Sequence, residues 1–479
     1  MEVPITTTNG NKHALVIGGS MAGLLAARVL VEYFDLVTIV ERDRLPKTPG
    51  PRRGVPQSSQ VHVLLVQGQQ ILEQLFPGLE AELTASGAST VDWIADCLTL
   101  GFGGWEPRFE SGLITRTCSR DLLEWSVRRR LAAYSNIRFL ENCQAVGLLS
   151  NTSQTRVIGV RVHHHNYPQQ NLSATEATLS ANFVVDASGR NSQALQWLEA
   201  LGYPGPQQTI INSFLGYASR LYQRPANLVA NTQALLVWPK PPDRSRAGIL
   251  YPIEGERWIL TVTGVGRDYP PTDENGFLEF TRSLRSSILY EAIKNAQPLS
   301  PIYAYRRTEN RQRHYERLAK WPEGFVAIGD AVCAFNPIYG QGMTVAAMGA
   351  LTLGQCLREQ HHSQANSDLA GLAQSFQRKL AKVNAIPWMM ATGEDLRWST
   401  TEGGQPSVIN RLMHWYLDRV RLVTNENPNA LKAFMEVLHL LKPPTTLFQP
   451  NILASVLKRV VKATSPSLAH YHAPVLPPQ

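Results

Sequence analysis

The stretch His13-Ala14-Leu15-Val16-Ile17-Gly18-Gly19-Ser20-Met21-Ala22-Gly23 decides the fold. It starts as a short, largely apolar run closed off by glycines, which is the pattern of a buried parallel strand. Residues 24–33 then repeat Leu, Ala and Val at helical spacing, and Leu36–Val40 is a second apolar run that ends at Glu41. Strand, glycine turn, helix and strand within about thirty residues make a βαβ unit. Gly18 allows the tight turn and Gly23 lets the helix pack close to the strand. Ser20 stands where the pattern G-x-G-x-x-G has its second glycine. A serine is small enough for close backbone approach, and its hydroxyl can bond a phosphate.

Working outward, the N-terminus of this helix offers free N–H groups suited to a pyrophosphate. Glu41, 23 residues after Gly18, is placed to accept both hydroxyls of an adenosine ribose. A charged loop rich in Pro, Arg and Gly covers 42–60. Helices are expected over 68–86 and 121–134, the second with Ser119 as N-cap. Strands are expected over 136–149, 157–163 and 181–186. Residues 212–265 change to long alternating strands with Phe214, Tyr217, Tyr222, Trp238, Tyr251 and Trp258, an antiparallel sheet inserted into a parallel one. A buried strand returns at 325–328, a helix runs from Gly340 to about 358, and 367–463 reads as helical. The Pro-rich tail 470–479 reads as loose, and there are no internal repeats.

Two further stretches carry chemistry. Gly329-Asp330-Ala331-Val332-Cys333-Ala334-Phe335-Asn336-Pro337-Ile338-Tyr339-Gly340-Gln341-Gly342-Met343 is a strand end with an acid, a loop and glycines opening a helix. Asp330 is placed for a sugar-like hydroxyl, while Gly340, Gln341 and Gly342 present N–H groups at a positive helix end. In Asp186-Ala187-Ser188-Gly189-Arg190-Asn191-Ser192 an acid again ends a strand before a glycine turn, a pattern that an ordinary Asx turn shares.

Composition narrows the class. The 479 residues carry a net charge of +8, with 43% hydrophobic and 18% charged residues, so the chain can build a core and is not disordered. The length suggests about three domains, or two with insertions. No uncharged apolar run of about 18 residues occurs, so no spanning helix is expected. Residues 1–12 are polar and lack a signal-peptide core. Five cysteines without C-x-x-C spacing argue against a disulfide framework or structural zinc, and fit a reducing cytoplasm. No metal site is expected, since in His163-His164-His165 successive side chains alternate faces. Arg and Lys are scattered, which argues against a nucleic-acid partner. The mild positive charge suits a solvated surface, an acidic cofactor or substrate, or an anionic membrane surface.

The three motifs in this order resemble the single-component FAD-dependent monooxygenases, the aromatic hydroxylase and epoxidase superfamily, from residue 14 to about 357. The fold class the resemblance implies is α/β: a doubly wound, Rossmann-like FAD-binding domain (12–90, 115–205 and 300–365), an inserted antiparallel substrate-binding sheet (91–114 and 206–299) and a helical C-terminal region (366–479). It implies that FAD is held by Gly18, Ser20, Met21, Ala22, Gly23, Glu41, Arg42, Arg53, Arg120, Val146, Asp186, Gly329, Asp330, Pro337, Gly340, Gln341, Gly342 and Met343. Among these, Glu41 takes the adenosine ribose and lies near the rim. Arg120 reaches the phosphates or adenosine half, and Asp330 holds the partly buried ribityl chain and a pyrophosphate neighbour. Residues 340–343 contact the flavin near its N1/C2 carbonyl edge. The loop from Pro51 to His62 resembles a subgroup carrying Arg-x-Gly-Val-Pro-Gln before a histidine. There Arg53, favoured over Arg52, is the flavin or phosphate contact, and His62 is a proton donor near the flavin or a hydrogen-bonded histidine at a helix start.

The implied partners are O₂, a small apolar substrate (aromatic, terpenoid or polyene) and NAD(P)H as a transient reductant, because no second dinucleotide motif occurs. Reductases, cyclases and halogenases share the fold, and Ala187 and Ser188 between Asp186 and Gly189 follow the reductase and halogenase form. A halogenase should carry a Trp-x-Trp-x-Ile-Pro segment with a catalytic lysine, and the chain has neither a Trp-x-Trp nor an obvious equivalent; residues 251–258 read as a hairpin. The alternatives are a FAD-dependent isoprenoid double-bond reductase and a non-catalytic or redox-sensing flavoprotein. Trp388, Met389, Met390 and residues 394–397 either close the substrate cavity or form a packing face. The amphipathic stretch 452–461 either docks on its own domain or contacts a membrane surface. Substrate identity and oligomeric state are left open.

Overall fold

The strand His13–Ile17 lies in the middle of a five-stranded parallel sheet ordered Phe325–Ala327, Phe183–Asp186, His13–Ile17, Leu36–Val40 and Ile137–Leu140. The structure is a computed structural model describing residues 12–164, 175–224, 232–363 and 369–464. Leu15 and Val16 are fully buried, as a central strand covered on both faces requires. The helices Met21–Leu30 and Gly342–Ser363 pack on each other and on this core. A three-stranded antiparallel sheet (Cys143–Ser150, Val157–His164, Thr175–Ser180) packs there too.

Two expected elements are divided. The helix over 68–86 is two helices, Val66–Leu75 and Leu79–Ala85, because Pro77 supplies no N–H and Gly78 turns left-handed at φ +83°. The strand over 136–149 divides into Ile137–Leu140 in the parallel sheet and Cys143–Ser150 in the antiparallel one, with Asn142 left-handed at the corner. The helix Arg120–Leu131 starts where expected, and the Ser119 hydroxyl accepts the Leu122 N–H at 3.1 Å.

The inserted sheet has six strands, ordered Tyr303–Tyr305, Gly216–Gln223, Arg257–Gly264, Arg246–Ile253, Ala234–Val237 and Cys97–Leu100. All neighbours are antiparallel except the last pair. One face, with Leu250, Leu260 and Val262, packs with Phe277 and Leu289 of the helices Glu274–Arg282 and Ile288–Ile293. The other face, with Leu236, Ile249, Tyr251 and Ile259, packs against Val61, Val63 and Val66.

Four long helices follow: Leu372–Asp395, Val408–Val423, Pro428–Leu438 and Pro450–Thr464. The first joins the main core through Phe376 and Leu380, and the others pack around Tyr416, Val420 and Val437. The last helix docks only half of its apolar stripe. Ile452 and Val456 are buried, whereas Leu457 and Val461 are 63% and 64% exposed. All five cysteines are buried and free. Among the described residues no cluster suits a metal ion, and no helix is long and apolar enough to cross a membrane. His163 and His164 lie on a strand, while His165, residues 1–11 and the tail 470–479 fall outside the described residues.

Candidate flavin site

The glycine turn is dictated by close contacts. Gly18 has φ +101°, and a Cβ there would stand 2.6 Å from the Ala187 carbonyl oxygen. A Cβ on Gly23 would stand 1.8 Å from the Gly18 oxygen, so only glycine lets the helix lie on the strand. Gly329, left-handed at φ +63°, would put a Cβ 2.7 Å from the Ala22 methyl. Three strand ends of the parallel sheet therefore converge on the start of the Met21–Leu30 helix. That helix has no side-chain cap and no acid in its first turn, which leaves its first N–H groups to an anion.

Around this helix end lies a buried cluster of guanidinium and carboxylate groups. Glu41 is 4% exposed and accepts from the Gly19 N–H at 2.7 Å and the Asp43 N–H at 3.0 Å. Arg52 reaches Glu41 at 3.2 Å, Asp43 at 3.0 Å and Glu124 at 2.8 Å. Arg120 donates to Glu124 at 2.6 Å and to the Ser20 hydroxyl at 2.9 Å. Burial alone would raise the Glu124 carboxyl, but the charges of Arg120 and Arg52 outweigh it and hold the group down at about 2. Two guanidinium nitrogens, Arg52 Nη2 and Arg120 Nη1, are buried without a partner. Unpaired cationic N–H groups beside an open helix N-terminus fit a pyrophosphate.

The expected contacts around this cluster divide in two. Ser20, Met21, Ala22, Gly23, Glu41 and Arg120 come together. Arg53 and Arg42 stand exposed, and Arg52 takes the buried position expected of its neighbour. Val146 is half-buried on the antiparallel sheet. Glu124 and Asp43 were not expected as members. For Glu124 the available signal was its spacing of four from Arg120, which puts both on one helix face.

The two strand-end acids differ. Asp186 is fully buried and is the cap of its own turn: it accepts the Ser188 N–H at 3.0 Å and the hydroxyls of Ser188 and Ser192. Its carboxylate is thus engaged within the turn. Asp330 is open, with 37% of its side chain accessible, and Arg190 Nε is 3.7 Å away. Its crowded setting raises its pKa against the opposing charges of Arg190 and Arg311. The expectation that Glu41 lies nearer the rim than Asp330 is therefore corrected: Glu41 is the interior carboxylate, and Asp330 is the more accessible of the two.

The last part is the turn Pro337–Tyr339 and the start of Gly342–Ser363. Asn336 caps the turn, accepting the Ile338 N–H at 3.3 Å, and Gly340 is left-handed at φ +65°. A Cβ on Gly342 would meet nothing within 4 Å. Gln341 is buried with Oε1 unpartnered, and Met343 is half-buried. Open space over backbone N–H groups at a helix start fits a flat ring carrying carbonyl oxygens. Val63 comes within 3.6 Å of the Gly340 Cβ position, so the segment after His62 abuts this turn.

His62 donates Nδ1–H to the Gln60 carbonyl at 2.9 Å, and its own carbonyl accepts the Tyr251 hydroxyl at 2.7 Å. Burial, helped by the charge of Arg120, pushes its pKa down to about 4. The expected proton donor is thus a neutral imidazole at neutral pH, with Nε2 as an acceptor. The chemistry of the arrangement suits FAD: an uncapped helix start beside unpaired guanidinium nitrogens, carboxylates at two strand ends, and open space over the backbone of residues 340–342.

Known proteins agree. The FAD binding domain family model matches residues 136–383. Protein Rv3254 of Mycobacterium tuberculosis is 32% identical over 438 residues, covering 87% of this chain and 90% of that protein. Among solved structures, the flavin-dependent brominase Bmp2 aligns with a TM-score of 0.64 at 14% identity, over 95% of this chain and all of that one. The structure of pqsL from Pseudomonas aeruginosa, described as a probable FAD-dependent monooxygenase, aligns with a TM-score of 0.59 at 18% identity, over 80% of this chain and 96% of that one. At such identities the structural likeness is one of fold. The match over more than half of the chain carries the assignment: the chain belongs to the FAD binding domain family.

Proposed function

We propose that the protein is an NAD(P)H- and O₂-dependent monooxygenase that hydroxylates or epoxidises a small apolar substrate, aromatic, terpenoid or polyene. One observation carries this reading. The sheet face of Leu236, Ile249 and Ile259 packs on Val61 and Val63, and Val63 adjoins the Gly340 turn. An apolar wall thereby meets the flavin-contacting loop. Bound FAD, once reduced, supplies the activation of O₂ and the transfer of one oxygen atom to substrate. The chain does the rest. The Met21–Leu30 helix start and Arg120 neutralise the pyrophosphate, and Glu41 and Asp330 orient the sugar and ribityl hydroxyls. The N–H groups of Gly340, Gln341 and Gly342 favour negative charge at the flavin edge. The apolar wall excludes water. No side chain serves as a nucleophile. NAD(P)H is proposed to bind transiently.

An isoprenoid double-bond reductase is the second reading. What favours it is the Asp186-Ala187-Ser188-Gly189 spacing, in which the Ala187 carbonyl abuts Gly18 and Ser188 donates to the capping Asp186. Isotopically labelled O₂ separates the two. Holoenzyme, NAD(P)H and a panel of aromatic and terpenoid compounds should yield product carrying labelled oxygen. A product that gains two hydrogens and no oxygen, formed equally well without air, sinks the monooxygenase reading.

A further inference from the structure

Asp395 ends the Leu372–Asp395 helix as a carboxylate at 2% exposure. Its oxygens accept from Asn310 Nδ2 at 2.7 Å, from Asn336 Nδ2 at 3.1 and 3.2 Å, and from the Tyr339 hydroxyl at 2.7 Å. The donors are neutral, and among the described residues no Arg, Lys or His forms an ion pair with it. The nearby cations are turned to the adjacent acid: Arg421 meets Glu394 at 2.8 Å and Arg397 meets it at 3.8 Å. The network closes on itself, since Asn310 Oδ1 accepts the Asn336 N–H at 2.7 Å and Asn336 also donates to Ser213 at 3.3 Å. A buried charge without a cation is a costly way to fill space that an apolar side chain could occupy. What it holds is specific: Asn336 and Tyr339 bracket the turn that delivers Gly340, Gln341 and Gly342.

We propose that Asp395 is a positioning residue for FAD, drawing Asn336 and Tyr339 toward the C-terminal helices and so setting the backbone of residues 340–342 against the flavin. The proposal rests on the FAD site and not on the reaction or its substrate. The titratable groups facing Asp395 are Tyr339 from the turn and Tyr217 from the inserted sheet; the Tyr217 hydroxyl is buried without a partner. Burial raises the Asp395 pKa to about 6, against the hydrogen bonds of Tyr339 and Asn336. The carboxylate accepts all of these donors at once. The acid form must hand its own proton to an acceptor such as the Tyr339 hydroxyl, which then no longer donates to it, so the turn shifts and FAD affinity falls as pH drops through about 6.

The test is a fluorescence titration of FAD into the full-length apoprotein between pH 5 and 8. In the wild type Kd should rise about tenfold from pH 7.5 to pH 5, the scale of one charged hydrogen bond. Asp395→Asn should bind at pH 7.5 as weakly as the wild type does at pH 5, with no pH dependence in that range. Tyr339→Phe should weaken FAD at pH 7.5 while keeping the pH dependence. A lowered Tm with wild-type Kd in Asp395→Asn would show a purely structural role and overturn the proposal, as would an unchanged pH slope in that variant. If Asp395→Asn does not fold, Tyr339→Phe decides, and a wild-type Kd there overturns it. Wild-type protein that binds no FAD at all would instead overturn the cofactor assignment.

Discussion

The Ser20 hydroxyl donates to Glu124 Oε2 at 2.9 Å, joining two residues 104 positions apart. This bond ties the uncapped start of the first helix to the face of the Arg120–Leu131 helix. It also turns the serine hydroxyl away from the N-cap role, which leaves the backbone N–H groups open.

Glu124 pairs with two buried guanidinium groups, and its loss leaves Arg120 only the Ser20 hydroxyl while Arg52 keeps Glu41 and Asp43. Glu124→Gln should destabilise the apoprotein by about 3–5 kcal/mol in urea unfolding, as expected when one partner of a buried pair is removed. FAD should restore part of the loss, since its pyrophosphate can pair with Arg52 and Arg120. The exposed Arg53 gives the contrast: Arg53→Gln should change stability by less than about 0.5 kcal/mol. Equal effects of the two variants would contradict the cluster as described.

Glu41→Ala should cost more FAD occupancy than Asp330→Ala. Glu41 sits in the interior and holds the Gly19 N–H and Arg52, and each unmade hydrogen bond to a charged group costs about 1.5–3 kcal/mol. Water can replace part of what Asp330 offers at its open position. Flavin content per chain, read from the absorbance of the two purified variants, checks the order, and the opposite order would fail it.

Two glycines should behave differently. Gly23→Ala forces a methyl into the Gly18 carbonyl and should abolish soluble protein or lower Tm sharply. Gly342→Ala adds a methyl to open space and should leave the apoprotein Tm unchanged while weakening FAD. If Gly342→Ala binds FAD normally, the flavin does not lie over that backbone.

Acid should destabilise the protein through two histidines. His62 and His439 are both pushed down to about 4, burial being the main cause. The unfolded chain therefore binds more protons between pH 6.5 and 4, and the stability from these groups is lost as pH falls through that window. Asp395, raised to about 6, acts in the opposite sense. The clean reading is thus the difference between wild type and His439→Gln: the variant's urea midpoint should depend less on pH from 6.5 to 4. His439 Nδ1 accepts the Val66 N–H at 3.2 Å, a bond the glutamine oxygen can imitate. A wild-type pH slope in the variant would refute this.

The glycine turn was legible in the sequence because its causes are local: a positive φ at Gly18 and a carbonyl pressed on Gly23 are written in the spacing. The break at Pro77-Gly78 was equally local, a turn dipeptide inside a helical pattern. The choice between Arg52 and Arg53 was not legible. It is set by the path of the loop, which Asp43 pins by accepting the Gly54 N–H at 2.6 Å. Asp395 was hidden for a related reason. Its partners Asn310, Asn336 and Tyr339 are distant in sequence, and only the tertiary arrangement brings them into range.

The parallel sheet takes its edge strand, Phe325–Ala327, from late in the chain and pairs it with Phe183–Asp186, and Asp330 follows directly. On the ribosome, the dinucleotide turn at Gly18 emerges long before the segment that completes its cleft. A nascent chain ending near residue 300 has Glu41 but neither Asp330 nor the turn at Gly340. Until those segments emerge, the unfinished sheet has an apolar strand edge to shield and lacks two of the segments proposed to hold FAD.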